Sequence, residues 1–537
     1  MKIFPDFEQF QTNYLSKTAQ LAWSILPADL ETPVSVALKL QNEKYLSLFE
    51  SVEGGHHRAR YSFITLDPDL IWTCDKNTAK ISYPETGTEE IVAKKGAEIF
   101  PSLRKLINSC AIEIPAGLPP MSSGLFGYMG YDMVRYMENI PDKHTDTIGI
   151  PESIFIRPRL VIVFDSVKDE MIILTSVMPS DKAVEAAYQE AGRRICELVG
   201  HLEGAVSKAP CSPLSLRERA DSSNFPLEKL VRNPGEGNAP QQNINSPHPT
   251  PLPQGEGIPI NLESISNTSR AEYYKMVEKA KEYIVAGDIF QVVLAQRFTV
   301  DFPRAPFSLY RKLRRLNPSP FSFYMQMDGF CLVGSSPEIL VRVREGNVTV
   351  RPIAGTRPRG KDRLEDEALE KDLLADAKEL SEHLMLIDLG RNDVGRVAQI
   401  GSVKVTDKMI IERYSHVMHI VSNVEGRIGD GFDGVDAVIA GFPVGTVSGA
   451  PKIRAMEIID ELEKARRSFY AGGVGYFSSG GDVDMCIALR TGLVKDNKLY
   501  IQAGGGVVLD SSAEGEYTES CNKARALVRA AEMVMEE

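Results

Sequence analysis

The stretch Cys331-Leu-Val-Gly-Ser-Ser-Pro-Glu-Ile-Leu-Val-Arg-Val343, followed at once by Val348-Thr-Val-Arg-Pro-Ile353, holds short apolar runs with no helical period between them. Similar runs recur at 417–424, 472–478, 484–494 and 499–509. Runs of this length read as strands. Helical segments are expected at about 365–388, 433–440, 450–464 and 516–536. Strands that come in clusters between helices predict an α+β fold, not a regular βαβ alternation.

Upstream, Ser269-Arg-Ala-Glu272 is a capping-box pattern that opens a helix to about Val285. Gly287-Asp288 then turns into a strand expected over Ile289 to Val300. Residues 1–206 read as a mixed region. Lys44–Glu50, Leu160–Asp165 and Met171–Leu174 are strand-like, and a helix is expected from Asp181 to about Val199. Between these parts, Pro210 to Pro259 contains ten of the 32 prolines, diluted with Gly, Asn, Ser and Gln. Such composition buries too little apolar surface to offset its ordering entropy, so 207–262 is expected to be a flexible insertion. Its segments Pro213–Arg219 and Pro251–Gly257 admit reverse-complementary codons, as a translated inverted repeat would. The expected units are therefore 1–206, 207–262 and 263–537.

Lys plus Arg is 61 against 73 Asp plus Glu, a formal charge of −12. This excludes a nucleic-acid wrapper, which needs a basic face. Seven cysteines, at 74, 110, 196, 211, 331, 486 and 521, form no Cys-x-x-Cys pair and are odd in number. That argues against a disulfide framework or zinc cluster and favours a reducing cytoplasm. No stretch of 18 apolar residues occurs, so no spanning helix is expected.

Two helices carry matching carboxylate pairs, Glu379 with Glu382 and Glu516 with Glu519, and Lys523 lies four residues beyond the second. Residues three and four apart share a helix face. Two such faces brought together make an oxygen-rich site for a hard cation, although each pair taken alone reads as solvated surface. Phe442–Lys452 and Ala503-Gly-Gly-Gly506-Val507 are glycine-rich and read as anion cradles or tight turns. Neither is a P-loop or a dinucleotide fingerprint. Arg490, at the end of an apolar strand, is expected to fork onto a carboxylate or to sit at the surface. His416 and His419 do not make a metal motif. Glu338 is a candidate general acid or an exposed turn residue.

Taken together these segments resemble the large, chorismate-using subunit family of anthranilate synthase. The motifs are Pro352-Ile-Ala-Gly355-Thr-Arg-Pro-Arg-Gly360, Glu379-Leu-Ser-Glu382-His-Leu-Met-Leu-Ile-Asp-Leu-Gly-Arg391-Asn392-Asp393, Gly445-Thr-Val-Ser-Gly-Ala-Pro-Lys452, Tyr470-Ala-Gly-Gly-Val-Gly-Tyr476 and Gln502-Ala-Gly-Gly-Gly506. Leu48–Gly55 and Leu125–Asp132 extend the match toward the N-terminus. The resemblance implies the anthranilate synthase component I / aminodeoxychorismate synthase-like α+β fold, packed β-sheets with flanking helices. It also implies an Mg²⁺-dependent conversion of chorismate and ammonia to anthranilate and pyruvate.

Residue by residue, the resemblance implies that Glu382 and Glu519 ligate Mg²⁺, with Glu379 and Glu516 acting through its water. Tyr470, Arg490, Gly504, Gly505 and Gly506 match chorismate-binding positions, and Gly355 and Thr356 match further contacts. Lys523 is a second cation near the substrate. Glu338 matches the acid that assists loss of the C4 hydroxyl. His419 matches a histidine of the elimination, and Thr446 lies in the same pocket. Relatives that use a lysine nucleophile carry it where Ala354 stands, and those that activate water carry it where Gln291 stands. Neither lysine is present here.

The chain has no Gly-x-Cys-x-Gly elbow with a later His-x-Glu pair. Use of glutamine would therefore need a separate glutamine amidotransferase subunit, anthranilate synthase component II, and the resemblance implies a heterotetramer with it. The resemblance also implies tryptophan inhibition through Glu50 and Ser51 together with Pro320, Phe321 and Ser322. An aminodeoxychorismate synthase component and a non-catalytic ligand sensor remain as alternatives. No nucleic-acid or membrane partner is expected.

Overall fold

The computed structural model describes residues 1–50, 60–204, 264–414 and 417–537. The insertion expected at 207–262 lies outside the described residues, as do Ser51 and His416.

The C-terminal half is organised on the strand Gln291–Asp301, which pairs antiparallel with Lys498–Val507 from Val292 to Asp301. Antiparallel neighbours continue outward. Phe321–Met327 pairs with Phe330–Ser336, which pairs with Thr491–Lys495, and that strand returns to Lys498–Val507. A second set places Val417–Arg427 between Ile353–Pro358 and Lys404–Arg413. The helix Ala513–Met535 lays Leu527, Val528, Ala530, Ala531 and Val534 into a core shared with Leu499 and Ile501. Full burial of each such Leu or Val contributes about 1.5–3 kcal/mol.

The N-terminal residues share these sheets. Ser47–Glu50 bridges Tyr61–Asp75 and Phe321–Met327, and Gly124–Met129 bridges Ser153–Asp165 and Gly473–Ser478. Where the sheets meet, Phe49, Phe63, Phe126 and Tyr476 form an aromatic cluster. Phe49 stacks on Phe63 at 4.7 Å, and Tyr476 meets Phe63 edge-on at 5.7 Å. A cavity of about 670 Å³ opens beside them, lined also by Glu50, Pro320, Phe321, Ser322, Tyr414 and Asp484.

Three expected elements are each divided in two. The run 331–343 is Phe330–Ser336 and Ile339–Arg344, because Pro337 has no N–H to continue a ladder. The run 484–494 is Val483–Ile487 and Thr491–Lys495, separated at Arg490, whose φ is 46°. The helix expected over 365–388 is Arg363–Ala375 followed by Ala377–Gly395. Asp376 takes an extended conformation (ψ 103°), and its side chain caps the second helix by accepting from Lys378 N and Glu379 N. The capping box at Ser269–Glu272 opens the helix Arg270–Ala286.

Candidate active site

The Asp376 cap fixes where the second helix starts, and with it the face that carries Glu379 and Glu382. Glu382 Oε1 accepts a hydrogen bond from Gln291 Nε2 at 3.1 Å, so this helix faces the start of the Gln291–Asp301 strand. Opposite, Ser512 caps the helix Ala513–Met535. Glu516 Oε1 accepts from Ser511 Oγ at 2.7 Å, while its Oε2 is buried with no partner. Glu519 pairs with Lys523 at 2.8 Å, and Lys523 also donates to the Gly504 carbonyl at 3.0 Å.

The carboxyls of Glu379 and Glu516 are both held above their usual range, first by burial and then by the negative neighbours Glu382 and Glu519 respectively. Lys378, on the first helix, lowers Glu516 on the second, so the two faces share one field. Among the described residues no three His, Cys, Asp or Glu side chains gather into a closed metal site. One or two carboxylates, with water or substrate oxygens completing the shell, are what Mg²⁺ takes. The orphan oxygen of Glu516 and the crowding of like charges fit such a cation.

Between the helices runs the glycine strand. Gly504, Gly505 and Gly506 stand opposite Ala295, Leu294 and Val293. A Cβ on Gly505 would lie 2.5 Å from Glu516 Oε2, and one on Gly506 would lie 2.5 Å from Gln291 Nε2. A side chain at either position would therefore displace the polar group packed on the strand. Tyr470, 3% exposed, receives a backbone hydrogen bond from Gly504, and burial lifts its hydroxyl to about 12.

Pro337 ends the Phe330–Ser336 strand and turns Glu338 into the core, where it is 5% exposed. Thr446 Oγ1 donates to Glu338 Oε1 at 3.0 Å. Burial pushes the carboxyl up to about 8, against the lowering effects of Thr446 and of Lys523. At neutral pH it is protonated and able to donate.

His419 pairs in register with Thr356 across a bulge at Gly355, which takes the left-handed φ of 67° that glycine accommodates. His419 Nδ1 donates to the Gly355 carbonyl at 2.9 Å and lies 3.1 Å from Thr356 Oγ1. That tautomer leaves Nε2 as an acceptor. Burial first, and then the charge of Arg490, hold the imidazole below its ordinary range, so it is neutral. Arg490 has a depressed proton affinity because its cation is desolvated. The expected carboxylate fork is not formed. Arg490 Nη1 donates instead to Asn317 Oδ1 at 3.3 Å, leaving a half-buried cation suited to an incoming anion.

Two further expectations are corrected. The 442–452 stretch is not an open anion cradle. Val447 N and Ser448 N donate within a 3₁₀ turn, and Gly449–Ala450 pair with Val292 and Gln291. The Glu50 side chain is not free for a ligand ammonium. Its oxygens accept from Tyr310 Oη and from Arg314 Nη2, the latter at 2.9 Å. On the cavity wall Asp484 Oδ1 and Ser322 Oγ have no hydrogen-bond partner, while Asp484 Oδ2 accepts from Arg342 Nε and Arg344 Nη2. Sequence reasoning also missed Asn317 as the partner of Arg490 and the buried pair Arg467–Glu463. Opposite charges four residues apart were the available signal for the latter.

A sequence model of the family described as chorismate binding enzyme matches residues 67–529. The chain is 48% identical to anthranilate synthase component 1 of Cereibacter sphaeroides, over 98% of this chain and 97% of that one. It is 43% identical to the protein of the same name from Acinetobacter calcoaceticus, over 94% of each. Among solved structures, anthranilate synthase component I from Streptococcus pneumoniae TIGR4 superposes with a TM-score of 0.70 at 33% identity, over 88% of this chain and 93% of that one. The menaquinone-specific isochorismate synthase from Escherichia coli shares the fold, with a TM-score of 0.65 at 18% identity over 98% of each.

Proposed function

We propose, for a chain that belongs to the chorismate-binding enzyme family and to its anthranilate synthase component I branch, that this cleft joins chorismate to ammonia and releases anthranilate and pyruvate. The observation that carries the reading is Glu338, a buried carboxyl held protonated at neutral pH and oriented by Thr446.

Glu382 and Glu519, backed by Glu379 and Glu516, would hold Mg²⁺, which would neutralise the ring carboxylate and stabilise charge as the ring rearranges. The chain's own groups do the rest. Arg490, Tyr470 and the backbone of Gly504, Gly505 and Gly506 receive the enolpyruvyl carboxylate. Gly355 and Thr356 border the ring, and Lys523 adds a second cation. Ammonia bonds at C2, the ring double bonds shift, and the C4–O bond breaks. Glu338 supplies the proton with which the hydroxyl leaves as water, since hydroxide leaves poorly. His419 Nε2 then takes the C2 proton as the ring aromatises and the C3–O bond breaks, and the expelled enolpyruvate takes up a proton at its methylene carbon and departs as pyruvate. With glutamine at 291 and alanine at 354, the chain supplies no lysine to compete with ammonia.

Glutamine would be used through a separate amidotransferase subunit, component II. Tryptophan would inhibit by occupying the 670 Å³ cavity, with its indole against Phe321 and Pro320 and its ammonium near Asp484. Chromatography of the reaction products tests the activity. Equimolar anthranilate and pyruvate support it. An aminated product that retains the enolpyruvyl group would instead indicate an aminodeoxychorismate synthase.

A further inference from the structure

Arg467 lies just beyond the helix Lys452–Leu462, with its side chain 1% exposed. Its Nε donates to Glu463 Oε2 at 3.0 Å, and Nη2 donates to Glu463 Oε1 at 2.5 Å. The same guanidinium donates to two backbone carbonyls, Val447 through Nη1 and Val293 through Nη2, each at 2.7 Å. Glu463 Oε1 in turn accepts from Ala295 N at 2.8 Å. The cation lies 5.5 Å from the Tyr470 ring centroid and 4.8 Å from that of Tyr131.

A buried ion pair by itself is weak evidence of anything, because well-packed apolar groups often replace one without loss. The destinations of these hydrogen bonds are what distinguish this pair. Val447 directly follows Thr446, whose hydroxyl meets Glu338. Val293 stands opposite Gly506, and Ala295 opposite Gly504. Tyr470 accepts from Gly504. On the far side, Tyr131 belongs to the N-terminal part, where its N donates to Ser468 O at 2.8 Å and Asp132 Oδ2 accepts from Ser468 N at 2.8 Å.

We propose that Arg467 is a positioning residue of the active centre: through Val447, Val293 and Tyr470 it sets the Thr446 hydroxyl against Glu338 and holds the tyrosine beside the glycine strand, with Glu463 and Tyr131 fixing the guanidinium in turn. This rests on the reading of Glu338 as the acid of the reaction. Planarity is the essential property. Lysine keeps the charge but cannot hold a bidentate carboxylate and two carbonyls at once.

The test is the pH dependence of chorismate turnover in the full chain for Arg467→Lys and for the double variant Arg467→Met/Glu463→Gln, which leaves no unpaired buried charge. Thermal melting is followed in parallel. Two groups besides burial act on Glu338, namely Thr446 and Lys523. Loosening Thr446 removes a lowering influence, so the alkaline limb of kcat is expected to move to higher pH. The value of kcat is expected to fall by about 10²-fold, as a misplacement of about 1 Å can cause. A folded variant whose limb stays at the wild-type position overturns the assignment, whatever its melting temperature. If both variants melt too low to assay, Tyr131→Leu decides, since it loosens the guanidinium without stranding a charge; a limb unmoved there also overturns it. A wild-type chain that does not turn over chorismate overturns the functional reading itself, an outcome distinct from an unmoved limb.

Discussion

Arg490 Nη1 donates to Asn317 Oδ1 at 3.3 Å, and this bond joins the cleft to the turn that carries Pro320 and Phe321 onto the cavity wall. Asn317→Ala frees Arg490 from that turn while keeping the Asn317 carbonyl that accepts from Ser335 Oγ. The variant is expected to raise the KM for chorismate several-fold and to weaken tryptophan inhibition. Allosteric coupling is typically about 1–3 kcal/mol and reciprocal, so chorismate and tryptophan should weaken each other by one common factor. Titrating tryptophan with and without chorismate measures it in both proteins, and an unchanged factor in the variant would break this link.

Glu338→Gln removes the acid and should lower kcat by about 10²–10⁴-fold. In the wild type, turnover should fall as pH rises through about 8, where Glu338 loses its proton. The stability effect has the opposite sign. Below the ordinary value of 4.5 both folded and unfolded chains hold this proton. Above it the unfolded chain releases the proton first, so stability declines until pH about 8. Melting scans should therefore show Glu338→Gln more stable than wild type at alkaline pH, with the difference vanishing in acid.

The acidic limb belongs to a different group. His419 is held below its ordinary value of 6.5 by burial and by Arg490, so the base should stay neutral somewhat below that pH. An initial-rate profile whose acidic limb lies above 6.5 would contradict this placement.

Glu382→Gln and Glu519→Gln should each abolish most turnover, because an amide is a poorer Mg²⁺ ligand than a carboxylate. Excess Mg²⁺ should restore part of it. Mg²⁺ titration of the rate checks this, and near-normal activity at ordinary Mg²⁺ would remove the residue from the site.

Gly505→Ala brings a methyl within 2.5 Å of Glu516 Oε2, the end of a side chain that can swing away. The fold should therefore tolerate the change while the carboxylate is displaced. Melting should shift by only a few degrees, while the Mg²⁺ concentration for half-maximal rate should rise. A variant with unaltered Mg²⁺ dependence would show that Glu516 is not needed where it stands.

Much of this arrangement was legible in the chain. The clustered apolar runs predicted strands grouped in an α+β fold, and the spacing of Glu379–Glu382 and Glu516–Glu519 placed each pair on one helix face. Pattern alone could not see that Asp376 would interrupt a helical period to cap a new helix, or that Pro337 would turn Glu338 inward. Both depend on one residue's backbone chemistry within an otherwise continuous pattern. The partners of Arg490 and Glu50 were missed for another reason. Asn317 is 173 positions from Arg490, and Arg314 is 264 from Glu50, so only the folded sheets bring them together.

The central claim is tested most directly by the fluorescence of anthranilate formed from purified chain, chorismate and ammonium, followed with Mg²⁺ and again with a chelator. The account predicts steady anthranilate production that needs Mg²⁺ and stops when it is removed. Absence of anthranilate with Mg²⁺ present, or production undiminished by the chelator, would contradict it.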